Sequence, residues 1–383
     1  MIIELQEGQF PQIQQRNELA VIAITKHGVE LARRIQKLMP NTDIYYMSKF
    51  AQGDEEERSI QLFTGSVRLL FPALWPVYQG IVCVVSLGAL IRMIAPLLRD
   101  KKTDPGVVVL DDLGENVISV LSGHLGGANE LARQIAADIG ARPIVTTASD
   151  VQKTIPVDLL GRRFGWVWES DDKLTPVSAS VVNGERVAFI QESGEPNWWM
   201  HDTPMPANIE LYDTVMNALE AQVQGALIIT HRQLTPEEEP ILANGVLYRP
   251  KVLVLGMGCN RGTSYEEIET VIKETLSELG LSIRSVKAVC SIDLKKDEAG
   301  LLQVCQQYKW EFITYTADQL NEMNIEEPSE TVYRYTGAYA VSEPAAKRYA
   351  KTDKLLLTKK KSGNVTISVG LLTFDPLGGA SIG

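Results

Sequence analysis

Gly80-Ile-Val-Cys-Val-Val-Ser-Leu-Gly-Ala-Leu-Ile-Arg92 carries five consecutive apolar residues, 81–85, that run into a small, polar turn and then a helical apolar pattern over 89–98. An unbroken apolar run suits a strand buried on both faces, and the helix after it suits the return leg of a βαβ unit. The design recurs upstream, where Ala20-Val-Ile-Ala-Ile-Thr25 leads through Lys26-His27-Gly28 into a helix over 29–38. Downstream, Val107–Asp111 reads as a third strand and Val117–Leu121 as a fourth; a helix over 127–139 then leads to a strand over 143–147. Repeated strand-helix units predict a mostly parallel α/β domain over 1–150.

Between 151 and 250 the periodicity weakens and tryptophans gather at Trp166, Trp168, Trp198 and Trp199. A smaller mixed domain with linker is expected there. Asn183-Gly184 predicts a hairpin between 178–182 and 187–191, and Thr235-Pro-Glu-Glu-Glu-Pro240 predicts a solvated loop. A second α/β domain is expected over 251–383. It starts at Lys251-Val-Leu-Val-Leu-Gly256-Met-Gly258, and Thr263-Ser264 before Glu266-Glu267 has the form of a capping box opening a helix to about 279.

The 383 residues, 45% apolar and 22% charged, suit a globular chain of two or three domains. A formal charge of −11 opposes attraction to nucleic acid or an anionic membrane. The four cysteines form no CxxC pair, and the four histidines show no metal-ligand spacing, so neither a metal centre nor a disulfide framework is expected. With no apolar signal core and no run of roughly 18 apolar residues, a cytoplasmic setting is expected.

Two polar tips fall close together in sequence. Asp111-Asp112-Leu-Gly-Glu115 ends one strand, and Ser122-Gly123-His124-Leu-Gly126-Gly127-Ala-Asn129-Glu130 follows the next. His124 suits general acid or base work, or equally a hydrogen-bonded structural role. Asp111, Asp112, Glu115 and Glu130 are candidate water activators, or only cap helices and solvate a loop. Ser122, Gly123, Gly126, Gly127, Asn129 and Glu115 would line the same ligand. Ser86, Gly88 and Arg92 form a further candidate for a substrate carboxylate, Arg92 also being readable as a surface side chain. Gly256-Met-Gly258-Cys-Asn-Arg261-Gly262 fails as a dinucleotide fingerprint because Arg261 stands where the third glycine belongs. Its Gly258 and Arg261 either hold an anion at a helix start or only shape a turn. Cys259 is a nucleophile there or an inert thiol.

Three blocks carry a resemblance: Val84–Arg92, Val109–Asn129, and the C-terminal run from Gly256 to Ala346. Together they resemble the cobalt-precorrin-5A hydrolase family, the CbiG-type proteins of anaerobic cobalamin biosynthesis, strongly over 50–150, loosely in the middle and well over 251–370. Asn260 departs from the family pattern, where a second basic residue is common beside Arg261. The resemblance implies opening of the ring A acetate δ-lactone of cobalt-precorrin-5A and release of the bridging carbon and its methyl as acetaldehyde. Under it, His124 is expected as base, Asp111 or Asp112 as its orienter or water activator, and the Gly126-Gly127 turn as oxyanion donor. Arg92, Arg99, Lys101, Lys102 and Arg261 are the cations expected to meet the carboxylates of the macrocycle. Cobalt belongs to the substrate, so no resident cofactor is expected. The partners expected are the corrinoid and water, with a homodimer or transient contacts to pathway enzymes. A non-catalytic, tetrapyrrole-channelling protein is the alternative.

Overall fold

Strand formation follows the apolar runs, and the computed structural model describes residues 2–199 and 201–374. The tail of the expected C-terminal domain, 375–383, lies outside the described residues. The chain divides into two units, 1–159 and 160–383.

The first unit is built on β1 (Ile2–Leu5), β2 (Leu19–Ala23), β3 (Thr42–Met47), β4 (Gln61–Gly65), β5 (Gly80–Val84), β6 (Gly106–Leu110), β7 (Asn116–Leu121) and β8 (Arg142–Ile144). They form one sheet in the order β1-β4-β3-β2-β5-β6-β7-β8. Pairs are parallel except β6 with β7, which are antiparallel, Val107 facing Leu121 and Leu110 facing Val117. Alternation along β5 sends Val82 and Val84 to one core and Ile81 and Cys83 to the other. On the first face lie α1 (Lys26–Leu38), through Val29, Ala32 and Ile35, and the later helix Ala128–Ile139, through Ala132 and Ile135. On the second face Leu87–Ile94 packs Leu90 and Ile94 against Ile81 and Val109. These two helices are α2 (Leu87–Ile94) and α3 (Ala128–Ile139). Each fully buried aliphatic side chain contributes roughly 1.5–3 kcal/mol, so two-sided burial makes this sheet the rigid base for its loops.

The second unit holds two sheets. The first contains β9 (Val167–Trp168), β10 (Val187–Gln191), β11 (Ile209–Tyr212), β12 (Gly225–Ile229) and β13 (Gly245–Arg249), in the order β11-β10-β12-β13-β9. All its pairs are parallel but β13 with β9. The expected hairpin around Asn183-Gly184 is absent: residues Leu174–Val182 form a helix, α4, burying Leu174, Val177 and Val181. Gly184 takes a left-handed φ of 74° just past that helix's end, so Asn-Gly stops a helix instead of turning a hairpin. The expected solvated loop is also tied down. Glu238 is buried, accepts from Thr235 N–H (2.9 Å), and meets the Arg232 guanidinium at 3.1 Å.

The second sheet contains β14 (Leu253–Cys259), β15 (Val286–Ile292), β16 (Glu311–Tyr315), β17 (Leu357–Ser362) and β18 (Val365–Leu371), ordered β16-β15-β14-β18-β17. Helices α5 (Tyr265–Glu278) and α6 (Ala299–Tyr308) cover one face through Ile268, Ile272 and Leu301. Helix α7 (Ser342–Ala350) covers the other through Ala345 and Ala350. Half of the expected capping box forms: Ser264 Oγ accepts from Glu267 N–H, while the Glu267 carboxylate accepts from Asn364 N–H (2.7 Å).

The glycine segment 256–258 is strand, not turn. β14 pairs with β18 from Leu253 to Cys259, Gly256 facing Ser368 and Gly258 facing Thr366.

Candidate active site

The antiparallel β6–β7 pairing separates the two polar tips that lie close in sequence. Asp111–Glu115 stands at the carboxyl ends of β5 and β6, whereas Ser122–Asn129 stands at the opposite edge, beside Gly106 at the start of β6. Six residues of β7 at about 3.3 Å each put roughly 17–20 Å between them. Asp111 and Asp112 therefore cannot orient His124.

At the far edge, close backbone packing requires glycines. A Cβ on Gly126 would fall 2.4 Å from Ser122 Cβ, and one on Gly123 2.5 Å from Asn129 Oδ1. Ser122 itself has a φ of 53° and a buried Oγ with no hydrogen-bond partner among the described residues. The His124 ring lies between two carboxylates the sequence reading missed: Nδ1 is 2.8 Å from Asp158 Oδ1, and Nε2 is 3.0 Å from Asp150 Oδ2. Ser149 Oγ lies 3.2 Å from Nε2. Asp150 is held in turn by Asn129 Nδ2 (2.9 Å) and the Arg133 guanidinium, and Asn129 also donates to Thr147 Oγ1 and accepts from Ser119 Oγ. Hydrogen bonds to Asp150 and then Asp158 outweigh burial and push the His124 pKa up to about 9. Burial opposes the Asp150 charge, yet His124 and Arg133 hold its pKa down at about 2. At neutral pH the ring is a cation with both nitrogens engaged, so it has no lone pair to take a proton. Gly127 N–H donates to the His124 carbonyl (3.0 Å), which removes it as an oxyanion donor. Glu130 is exposed and meets Arg133 at 3.7 Å.

The carboxyl edge is more open. Asp111 is a loop organiser: it accepts from the N–H groups of Leu113, Glu115 and Asn116 and from Asn116 Nδ2. Burial opposes its charge, but these donors prevail and keep its carboxyl below the usual range. Asp112 instead reaches across to the turn after β2, where it meets His27 and Thr25. Ser86 and Gly88 are exposed at the start of α2, and Arg92 is exposed with Nη1 donating to the Gly88 carbonyl (2.7 Å). Leu87, Ile91 and Leu113 stand exposed on this edge, Leu113 at 75%.

In the second unit, the chain's own carboxylates occupy the expected anion position. Arg261 pairs with Asp297 (2.7 Å) and meets Glu298 at 3.4 Å, and Gly262 N–H donates to Glu298 Oε1 (2.7 Å). Burial pushes the Cys259 thiol up, as expected of an inert cysteine.

Family models match the last four strands of the first sheet and then the other two sheets in turn: Cobalamin synthesis G N-terminal over 70–150, Cobalamin biosynthesis central region over 155–250, and Cobalamin synthesis G C-terminus over 253–370. Fold and matches together define a three-sheet α/β protein of the cobalamin-synthesis G class. The cobalt-precorrin-5A hydrolase of Priestia megaterium is 62% identical over 374 residues, covering 98% of this chain and 100% of that protein. The cobalt-precorrin-5A hydrolase of Salmonella typhimurium is 29% identical, covering 92% and 97%. Protein CobE of a Sinorhizobium species is 32% identical over 110 residues, 28% of this chain and 71% of that protein. The chain belongs to the cobalt-precorrin-5A hydrolase family. Among the described residues no helix is long and apolar enough to cross a membrane.

Proposed function

We propose that this chain hydrolyses cobalt-precorrin-5A in cobalamin biosynthesis, opening the ring A acetate δ-lactone and then breaking a carbon–carbon bond to release acetaldehyde and leave cobalt-precorrin-5B. The observation that carries this reading is 62% identity to a cobalt-precorrin-5A hydrolase over essentially the full length of both chains. Water is the co-substrate, cobalt arrives within the macrocycle, and the reaction runs in the cytoplasm without a resident cofactor.

The chemistry needs an apolar surface for the ring, a cation for its carboxylates and a group that moves protons. The carboxyl edge of the first unit's sheet supplies such features in Leu87, Ile91 and Leu113, with Arg92 one turn into α2. The opposite edge supplies a locked imidazolium whose ring nitrogens both face carboxylates. This contrast favours the carboxyl edge as the reacting site and leaves His124 as a charged strut.

Incubation of purified protein with cobalt-precorrin-5A, followed by enzymatic detection of acetaldehyde, tests the reading. One acetaldehyde per macrocycle over many turnovers is expected. Tight binding of the macrocycle with no acetaldehyde would instead make the protein a tetrapyrrole carrier. Arg92→Met removes a cation that is not part of any ion pair among the described residues, so the loss should appear in binding. KM is expected to rise roughly tenfold, the equivalent of about 1.4 kcal/mol, with kcat changing less. The reverse pattern would move Arg92 into the chemical step.

A further inference from the structure

The carboxyl edge of the first sheet opens where its connections diverge. β2 leads through α1 to β3 on one side, while its neighbour β5 leads through α2 to β6 on the other. Beyond the carboxyl ends of two strands at such a switch point is the preferred ligand position in open α/β sheets. Gly28 lets α1 start close against it: a Cβ there would lie 2.7 Å from Thr25 Oγ1 and 3.1 Å from Val84 Cγ1, at the end of β5. Thr25 Oγ1 accepts from Gly28 N–H (3.0 Å) and caps that helix, which fixes His27 on its first turn.

His27 meets a carboxylate from another strand end. Its Nδ1 lies 3.3 Å from Asp112 Oδ2, and the second Asp112 oxygen accepts from Thr25 Oγ1. The His27 side chain is 65% exposed, and its Nε2 has no protein partner among the described residues. The Asp112 carboxylate thus stands beside one ring nitrogen and leaves the other toward solvent; a small rotation of the exposed ring would direct an Nδ1–H at Asp112 and keep the Nε2 lone pair for substrate. His124, clamped at both nitrogens, offers nothing comparable.

Resting on the hydrolase reading above, we propose that His27 is the proton-transferring catalytic residue and Asp112 its positioning residue. Nε2 takes a proton from water as the water oxygen adds to the lactone carbonyl carbon. Collapse of the tetrahedral adduct breaks the ring C–O bond, and the imidazolium returns the proton to the departing alkoxide, so one water is consumed and a hydroxy acid forms. In the second stage Nε2 takes the new hydroxyl proton and the bond from the bridging carbon to the macrocycle breaks. Its electron pair passes into the conjugated ring, which receives the proton from His27, and acetaldehyde leaves.

Wild-type turnover is measured first, because absence of acetaldehyde there defeats the hydrolase reading itself. Given turnover, His27→Gln is expected to lower kcat by roughly 100-fold or more, the scale of general acid–base catalysis, with KM within about twofold. Asp112→Asn is expected to lower kcat by about tenfold or more and, in ¹⁵N spectra of the imidazoles, to move His27 from the Nδ1–H toward the Nε2–H tautomer. Both side chains are exposed, so melting temperatures should not change. Wild-type kcat in His27→Gln overturns the catalytic assignment, and an unaltered His27 tautomer in Asp112→Asn overturns the positioning role.

Discussion

Replacing His124 by glutamine is expected to destabilise the first unit by about 3–5 kcal/mol, the range for removing one member of a largely buried ion pair. It should also abolish a pH dependence that the wild type shows. Asp150 and Asp158 both face the ring, and without it Arg133, on Asp150, is the one cationic partner left to them among the described residues. In the unfolded chain His124 titrates near its ordinary value of 6.5, and in the native protein near about 9. Between those values the native state holds a proton that the unfolded state has released. The stabilisation is therefore complete below pH 6.5 and disappears as pH rises through 9, an amount of about 3 kcal/mol at roughly 1.4 kcal/mol per tenfold change. Asp150 acts at the other end: with its native pKa near about 2 against an ordinary 3.8, its contribution is complete above 3.8 and lost as pH falls through 2. Urea unfolding at pH 6 and pH 9.5 should show the wild type losing about 3 kcal/mol more than His124→Gln. Equal losses in the two proteins would mean that the ring carries no extra proton in the native state.

The sheet was legible where burial is two-sided. β2, β5, β6 and β14 are near-continuous apolar runs because helices cover both faces, and that pattern survives in sequence without knowledge of neighbours. β3, Thr42-Asp-Ile-Tyr-Tyr-Met47, was missed because its polar groups are satisfied inside the core and not by solvent. Asp43 accepts from Arg16 and Asn17 N–H and from Tyr78 O–H, and the Arg33 guanidinium donates to Tyr46 Oη. Only tertiary partners make such a strand buried. In the middle sheet, the apolar spacing Leu174, Val177, Val181 was already helical, and the local Asn-Gly signal misled because glycine serves a helix end as readily as a hairpin.

The site was less legible, and strand direction is the reason. Asp111 and His124 are near in sequence, yet a strand between them carries the chain to the other edge of the sheet. The loop 111–115 contained the clue, being far too short for the crossover that a parallel partner needs, so β6 and β7 had to be antiparallel. His27 reads from sequence as part of a turn, and its near neighbour Glu30 gives no hint of the carboxylate it meets, Asp112, which reaches it from a strand end 85 positions later. Asp158, similarly, carries no local sign that it holds His124. Distances within the chain fixed which residues were noticed, and sheet topology fixed which of them meet.

The C-terminal glycines give a second large effect, and their contrast separates packing from ligand cradling. Gly256→Ala places a Cβ 1.8 Å from the Ser342 carbonyl oxygen and 3.0 Å from Ala346 Cβ. Backbone at the start of α7 cannot rotate away as a flexible side chain would, so strand or helix must shift, against a face held by the small residues Ala345, Ala346 and Ala350. The cost is expected at the top of the overpacking range, about 3 kcal/mol or more, which for a unit of this size lowers Tm by roughly 6–12 °C. Gly258→Ala meets nothing nearer than 3.8 Å and should cost less than about 1 kcal/mol. Thermal unfolding of the two variants decides the matter. If Gly256 is a packing residue where α7 crosses β14, the two alanines differ severalfold in effect; equal and small effects would mean that α7 does not sit on this strand as described.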